Sequence, residues 1–204
     1  MQCRLESRLI VSTDADALLR NGNVLHPKID VSNRAVGQNV RQTFVATTGA
    51  FKGGDVTFIP CDSDWETRIR DSFGRQFFMV ELEAHICRAE PGHVELSVAF
   101  REALAQQHGY FHAGVLASIA DSAGGYAGYS LFPKNSSVLT VEFKLNLLRP
   151  AQGDRLRAIG QVVKLGRTLS FCDLSVLANN AGSEILCASG QQTLICLHDR
   201  IDGR

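Results

Sequence analysis

The stretch QQHGYFHAGVLASIAD, residues 106–121, concentrates side chains that can do acid–base and carbonyl chemistry. Gln106, Gln107, His108 and His112 stand immediately before a run of helical periodicity. A carboxylate, Asp121, stands in the middle of that run among small apolar neighbours. A helix starting near Ala113 presents unsatisfied backbone N–H groups and the positive end of its dipole, where a polarised carbonyl oxygen can rest. Asp121 lies further along the same helix, about 12 Å down the axis at 1.5 Å per residue, so one chain cannot bring both groups to one carbonyl. Cooperation between them requires the carboxylate of a second copy whose helix runs antiparallel. That predicts an isologous dimer with two equivalent sites across its interface.

The elements that must position these groups are legible on both sides. Residues 113–130 are rich in Gly, Ala and Ser, with Val115, Leu116, Ile119, Ala123 and Tyr126 at helical spacing, which predicts one helix. Gly124, Gly125 and Gly128 each cost a helix about 1 kcal/mol relative to Ala, so close approach of another backbone is expected and a sheet should wrap this helix. Upstream, Trp65, Ile69 and Phe73 predict a short helix ended by Gly74, and Val80 to Cys87 with Val94 to Phe100 predict a hairpin about Glu90, Pro91 and Gly92. Downstream, residues 137–147 alternate, with Leu139, Val141, Phe143, Leu145 and Leu147 expected on a buried face and Thr140, Glu142, Lys144 and Asn146 on a wet one. Strands follow over Leu156 to Leu165, Thr168 to Ala178 and Ile185 to Leu197. The class is α+β with an antiparallel sheet, and no Gly-rich phosphate loop joins a strand to a helix. Residues 1–64 hold no sustained period and read as an N-terminal extension of uncertain structure. Residues 65–204 form the domain.

Composition narrows the partners. With 21 Lys and Arg against 21 Asp and Glu in 204 residues, no global field favours nucleic acid or an anionic membrane. No uninterrupted apolar run reaches the length of a membrane helix or secretory signal, so a cytoplasmic protein is expected. The cysteines form no C-x-x-C pair and the histidines no metal-ligand spacing, so neither a metal site nor a disulfide framework is expected. Cys172, Cys187 and Cys196 read as core.

At residues 106–121 the sequence resembles the hotdog-fold acyl-CoA thioesterases, most closely the PaaI-like phenylacetate-pathway family. That family carries His-Gly-Gly at the start of a central helix and an Asp nine positions after the His. His112, Ala113, Gly114 and Asp121 stand at that spacing, and the runs LTVEFKLNLLRPA (139–151) and GRTL (166–169) extend a resemblance that covers residues 65–198. It implies a sheet wrapped around a central helix, subunits paired as homodimers and often as homotetramers, and hydrolysis of acyl-CoA thioesters without a cofactor. On it Asp121 is general base or nucleophile, the N–H groups of Ala113 and Gly114 polarise the thioester carbonyl, and His112 orients the helix start and substrate. Gln106 supplies a polar group near the attacking water or carbonyl, and Thr140 helps hold the water. The first Gly of the motif is Ala113 here, which keeps the amide donor but adds a methyl group to whatever approaches.

The stretch 144–167 holds Lys144, Arg149, Arg155, Arg157, Lys164 and Arg167 against Asp154 alone. It reads as a solvated strand face or, at Arg167 in its Gly-flanked turn, as a dock for CoA phosphates. The sequence does not set the acyl preference, and aryl and medium-chain acyl groups both stay open. A noncatalytic acyl-CoA or lipid-binding hotdog protein is the alternative. A hydratase is disfavoured, because D-x-N-P-x-H and a second acid–base residue on the helix are missing.

Overall fold

The computed structural model describes residues 58–200, so most of the N-terminal segment read as an extension lies outside the described residues. Two short helices, α1 (Trp65–Gly74) and α2 (Phe77–Glu81), precede a hairpin of β1 (His85–Glu90) and β2 (His93–Ala99). A 3-10 turn (Glu102–Leu104) and a loop lead into α3 (Ala113–Tyr129). β3 (Ser136–Leu147), β4 (Arg155–Lys164), β5 (Leu169–Asn180) and β6 (Ser183–His198) follow. All pairings are antiparallel in one six-stranded sheet of order β1-β2-β4-β5-β6-β3, so β1 and β3 are its edges. This is the expected α+β hotdog arrangement, with α3 lying across one side of the sheet.

Apolar burial drives that contact. Ile119, Ala120, Ala123 and Ala127 of α3 are fully buried against Val94, Leu96, Leu156, Ala158, Val176 and Leu194 of the sheet. Burying a side chain the size of Ile119 contributes about 1.5–3 kcal/mol. Glycine sets how closely the layers approach. A Cβ at Gly160 of β4 would overlap the backbone of Ala123 and Gly124, and one at Gly128 would overlap the Leu194 side chain. Gly125 has open space and Gly124 and Gly128 face side chains of the sheet, so the backbone approach expected at the helix glycines is met at Gly160 of the strand instead. Residues before Trp65 already join this packing: Phe58 is partly buried against the core, and Asp62 pairs with Arg68 at 2.9 Å.

Two sequence expectations are corrected. The strand expected over Val80 to Cys87 begins only at His85, because Phe77–Glu81 is helical. Met79 and Leu82 point inward, and the helix closes at Glu83 with φ of 53° and an Ala84 N–H to Met79 carbonyl bond of 2.9 Å. A Schellman-like stop made with Glu in place of Gly carries no compositional mark.

The alternation of β3 is also misleading. The register shifts between Thr140 and Glu142, so that Thr140 pairs with the buried Leu194 whereas Glu142 pairs with Thr193. The bulge takes up one residue and reverses the phase. Thr140 therefore lies on the helix side and Leu139 on the outer side, and Leu139 and the bulged Val141 are both 56% exposed.

Candidate active site

The N-terminus of α3 is built by the loop before it. An Ala105–Phe111 bridge, the Phe111 N–H on the Ala151 carbonyl (3.0 Å) and the His112 N–H on the Leu104 carbonyl (2.8 Å) fix the approach. His112 is the N-cap. Its backbone is extended and its Nδ1 accepts the Gly114 N–H at 2.9 Å, as N-cap side chains do for an orphan helix donor. Acceptance at Nδ1 places the ring hydrogen of a neutral imidazole on Nε2, outward from the cap. Of the two amides expected to polarise a carbonyl, Gly114 is thus occupied by the His112 ring. The Ala113 N–H has no partner among the described residues.

Gln106 is folded beside this helix start, its Oε1 accepting the His108 N–H at 3.1 Å. Gln106, His112, Ala113, Leu116, Leu148 and Arg149 line a cleft of about 600 Å³.

A second polar cluster lies midway along α3. Asp121 is half-buried, and its Oδ1 accepts Thr140 Oγ1 at 2.7 Å and Gln192 Nε2 at 2.7 Å. Gln192 Nε2 also lies 3.0 Å from the Asp121 carbonyl and 3.0 Å from Thr140 Oγ1. No donor among the described residues reaches Oδ2, and none of their cations pairs with Asp121. The connection between α1 and α2 touches the next residue of the helix, Ser122 donating to Gln76 Oε1 at 3.3 Å.

The chain thus brings Gln106, His112, Ala113 and Gly114 together at one end of α3, and Asp121 with Thr140 at its middle. Gln192 is a site residue that the sequence does not single out. Its one signal is the strand period: Gln192, Leu194 and Cys196 share the buried face of β6, where a polar residue demands a partner.

Arg167 is exposed in the β4–β5 turn, with no side-chain partner among the described residues. The other arginines of its basic stretch are engaged. Arg157 pairs with Glu95 at 2.6 Å and Glu184 at 2.5 Å, Arg155 bonds Ser97 Oγ at 3.1 Å, and Arg149 bonds the Leu186 carbonyl at 3.1 Å. Most of this stretch's arginine charge therefore serves the sheet. Cys172, Cys187 and Cys196 are buried, and burial, with the Asp173 charge beside it, pushes the Cys172 thiol up to about 12. Among the described residues no group of His, Cys, Asp and Glu could hold a metal ion, and no helix is long and apolar enough to cross a membrane.

Comparison with known proteins bears on the family and the fold. The sequence pattern of the "Thioesterase superfamily" matches residues 108–184. A protein of Halobacterium salinarum that carries the name "Putative esterase" is 35% identical over 103 residues, spanning 47% of this chain and 68% of its own. The crystal structure of a thioesterase family protein from Silicibacter pomeroyi superposes with a TM-score of 0.65 at 44% identity, covering 66% of this chain and 98% of that one. The PaaI protein of the E. coli phenylacetic acid degradation operon shares the fold at 20% identity and a TM-score of 0.61, covering 69% and 99%.

Proposed function

The chain belongs to the thioesterase superfamily and is a thioester hydrolase, and from that premise we propose that it hydrolyses an aryl- or medium-chain acyl-CoA to the free acid and CoA, with each site shared between two subunits. The observation that carries the reading is the state of Asp121: a half-buried carboxylate held at Oδ1 by neutral donors from β3 and β6, with no donor among the described residues on Oδ2.

The thioester carbonyl rests on the Ala113 N–H of one subunit, with the His112 Nε2–H and Gln106 beside it. The partner's Asp121 takes a proton from water as the water oxygen bonds the carbonyl carbon. The tetrahedral intermediate then expels sulfur, and the proton returns to the departing thiolate. Direct attack by the carboxylate, giving an anhydride that water opens, satisfies the same geometry. Thr140 holds the carboxylate, and Arg167 docks CoA phosphates.

Pairing of subunits is supported by β3. It is a sheet edge whose Leu139, Val141, Phe143 and Leu147 are each at least 41% exposed, which a lone soluble chain rarely leaves open. Antiparallel pairing of two such edges would continue the sheet and set the two α3 helices side by side. Leu139, Ile195 and Leu169 are aligned across the outer side and give a second apolar surface on which two dimers can join as a tetramer.

The deciding experiment is thiol release from short, medium, long and aryl acyl-CoA esters by wild type and Asp121→Ala, after both elute at the same oligomeric size. Turnover that falls at least about a hundredfold in the variant is expected. Binding of acyl-CoA with no turnover on any ester would instead identify a noncatalytic acyl-CoA-binding protein.

A further inference from the structure

Gln192 is 2% exposed, a primary amide on the helix-facing side of β6 in the same phase as Leu194 and Cys196. Its Nε2 reaches two parts of one residue, the Asp121 carboxylate at 2.7 Å and the Asp121 backbone carbonyl at 3.0 Å. The same nitrogen lies 3.0 Å from Thr140 Oγ1, whose hydroxyl donates to Asp121 Oδ1. One amide thus bridges both ends of the short torsional path from backbone to carboxylate. Rotation of the Asp121 side chain would break at least one of these bonds.

The rest of the amide argues against a purely structural role. Gln192 Oε1 is buried with no hydrogen-bond partner, a loss that an apolar residue of similar volume would avoid. Turning the amide over would set an oxygen against Oδ1, so Asp121 itself dictates the orientation that leaves Oε1 unsatisfied. The helix also makes room for it. Three residues after Asp121, a Cβ at Gly124 would overlap Gln192 Oε1 and crowd Leu174.

We propose that Gln192 is the positioning residue of this site, and that with Thr140 it ties down Oδ1 so that Oδ2 is the oxygen that meets the attacking water or the thioester carbon. This rests on the reading of Asp121 as the reacting carboxylate. A neutral amide suits that role because it orients the carboxylate without the full countercharge that a guanidinium would bring.

The test uses the full-length oligomer and the acyl-CoA ester that wild type turns over fastest. Gln192→Met keeps the length of the side chain and removes its donors. It is expected to lower kcat about ten- to hundredfold, the scale of a misplaced catalytic group, with KM within about twofold and no fall in melting temperature. In an Asp121→Asn background the same change is expected to leave the residual rate unaltered, because Gln192 acts only through the carboxylate.

Gln192→Met with wild-type kcat, beside a crippled Asp121→Asn, overturns the inference while the proposed function stands. So does an equal loss in both backgrounds. An active Asp121→Asn overturns the reading on which both rest. If Gln192→Met does not fold, Gly124→Ala displaces the amide from its oxygen side and is expected to lower kcat with KM unchanged. Unchanged kcat in that variant overturns the inference.

Discussion

Glu95 and Asp121 are carboxylates on opposite sides of the same sheet, and they are held by opposite means. Glu95, on the outer side of β2, is buried at 6% exposure, with Arg157 at 2.6 Å, His93 at 2.9 Å and Arg88 at 3.4 Å. Burial opposes its charge, but the bonds from His93 and Arg157 and the guanidinium charge outweigh that and hold the carboxyl below its ordinary range. Among the described residues Asp121 meets only a hydroxyl and an amide. A carboxylate whose charge is balanced by fixed cations joins strands; one held by neutral donors, with an oxygen to spare, has the arrangement that the proposed reaction requires.

Removing each carboxylate should therefore damage different properties. Asp121→Ala is expected to lose at least about a hundredfold in kcat, about 2.7 kcal/mol of transition-state stabilisation, while its melting temperature hardly moves. Equal losses of stability and rate, measured by calorimetry and thiol release, would erase the distinction between the two sides. Glu95→Gln is expected to keep kcat and to lose about 1–3 kcal/mol of stability in urea unfolding, because Arg157 and Arg88 lose a buried acceptor charge.

Acid sharpens the contrast. The folded carboxyl of Glu95 lies below its unfolded value of about 4.5, so its stabilisation is fully present above that pH and is lost as pH falls through the lower folded value. The gap in urea midpoint between wild type and Glu95→Gln should therefore be widest near neutrality and narrow below about pH 4.5. A constant gap down to pH 3 would rule out the ion pair as its source. The smallest effect belongs to Arg167→Ala, expected to raise KM for acyl-CoA about three- to tenfold with kcat and stability intact. An unchanged KM would remove this arginine from the substrate.

What can be read in the sequence follows the range of the interactions. The central helix and its carboxylate are legible because composition, period and motif coincide within one short stretch, and β4 to β6 because apolar runs alternate with turn chemistry. Gln192 is 71 positions from Asp121, and nothing local marks the meeting. The bulge at Thr140 is hidden by an alternation so regular that it points the hydroxyl to the wrong side; only the pairing of β3 with β6 reveals the reversal. The helix Phe77–Glu81 escapes because its stop is a glutamate at positive φ.

The distance of about 12 Å between Ala113 and Asp121 on one helix also bears on inheritance. Ala113→Pro should delete the amide hydrogen and keep the helix, since Ala113 is the first helical residue and the extended backbone of His112 already suits a following proline. If each site is shared between two subunits as proposed, two alleles, one with Ala113→Pro and one with Asp121→Ala, would each encode an inactive homodimer. Expressed in the same cell, they would form mixed pairs in which one site inherits both lesions and the other inherits neither. Two null copies of this gene would then complement each other.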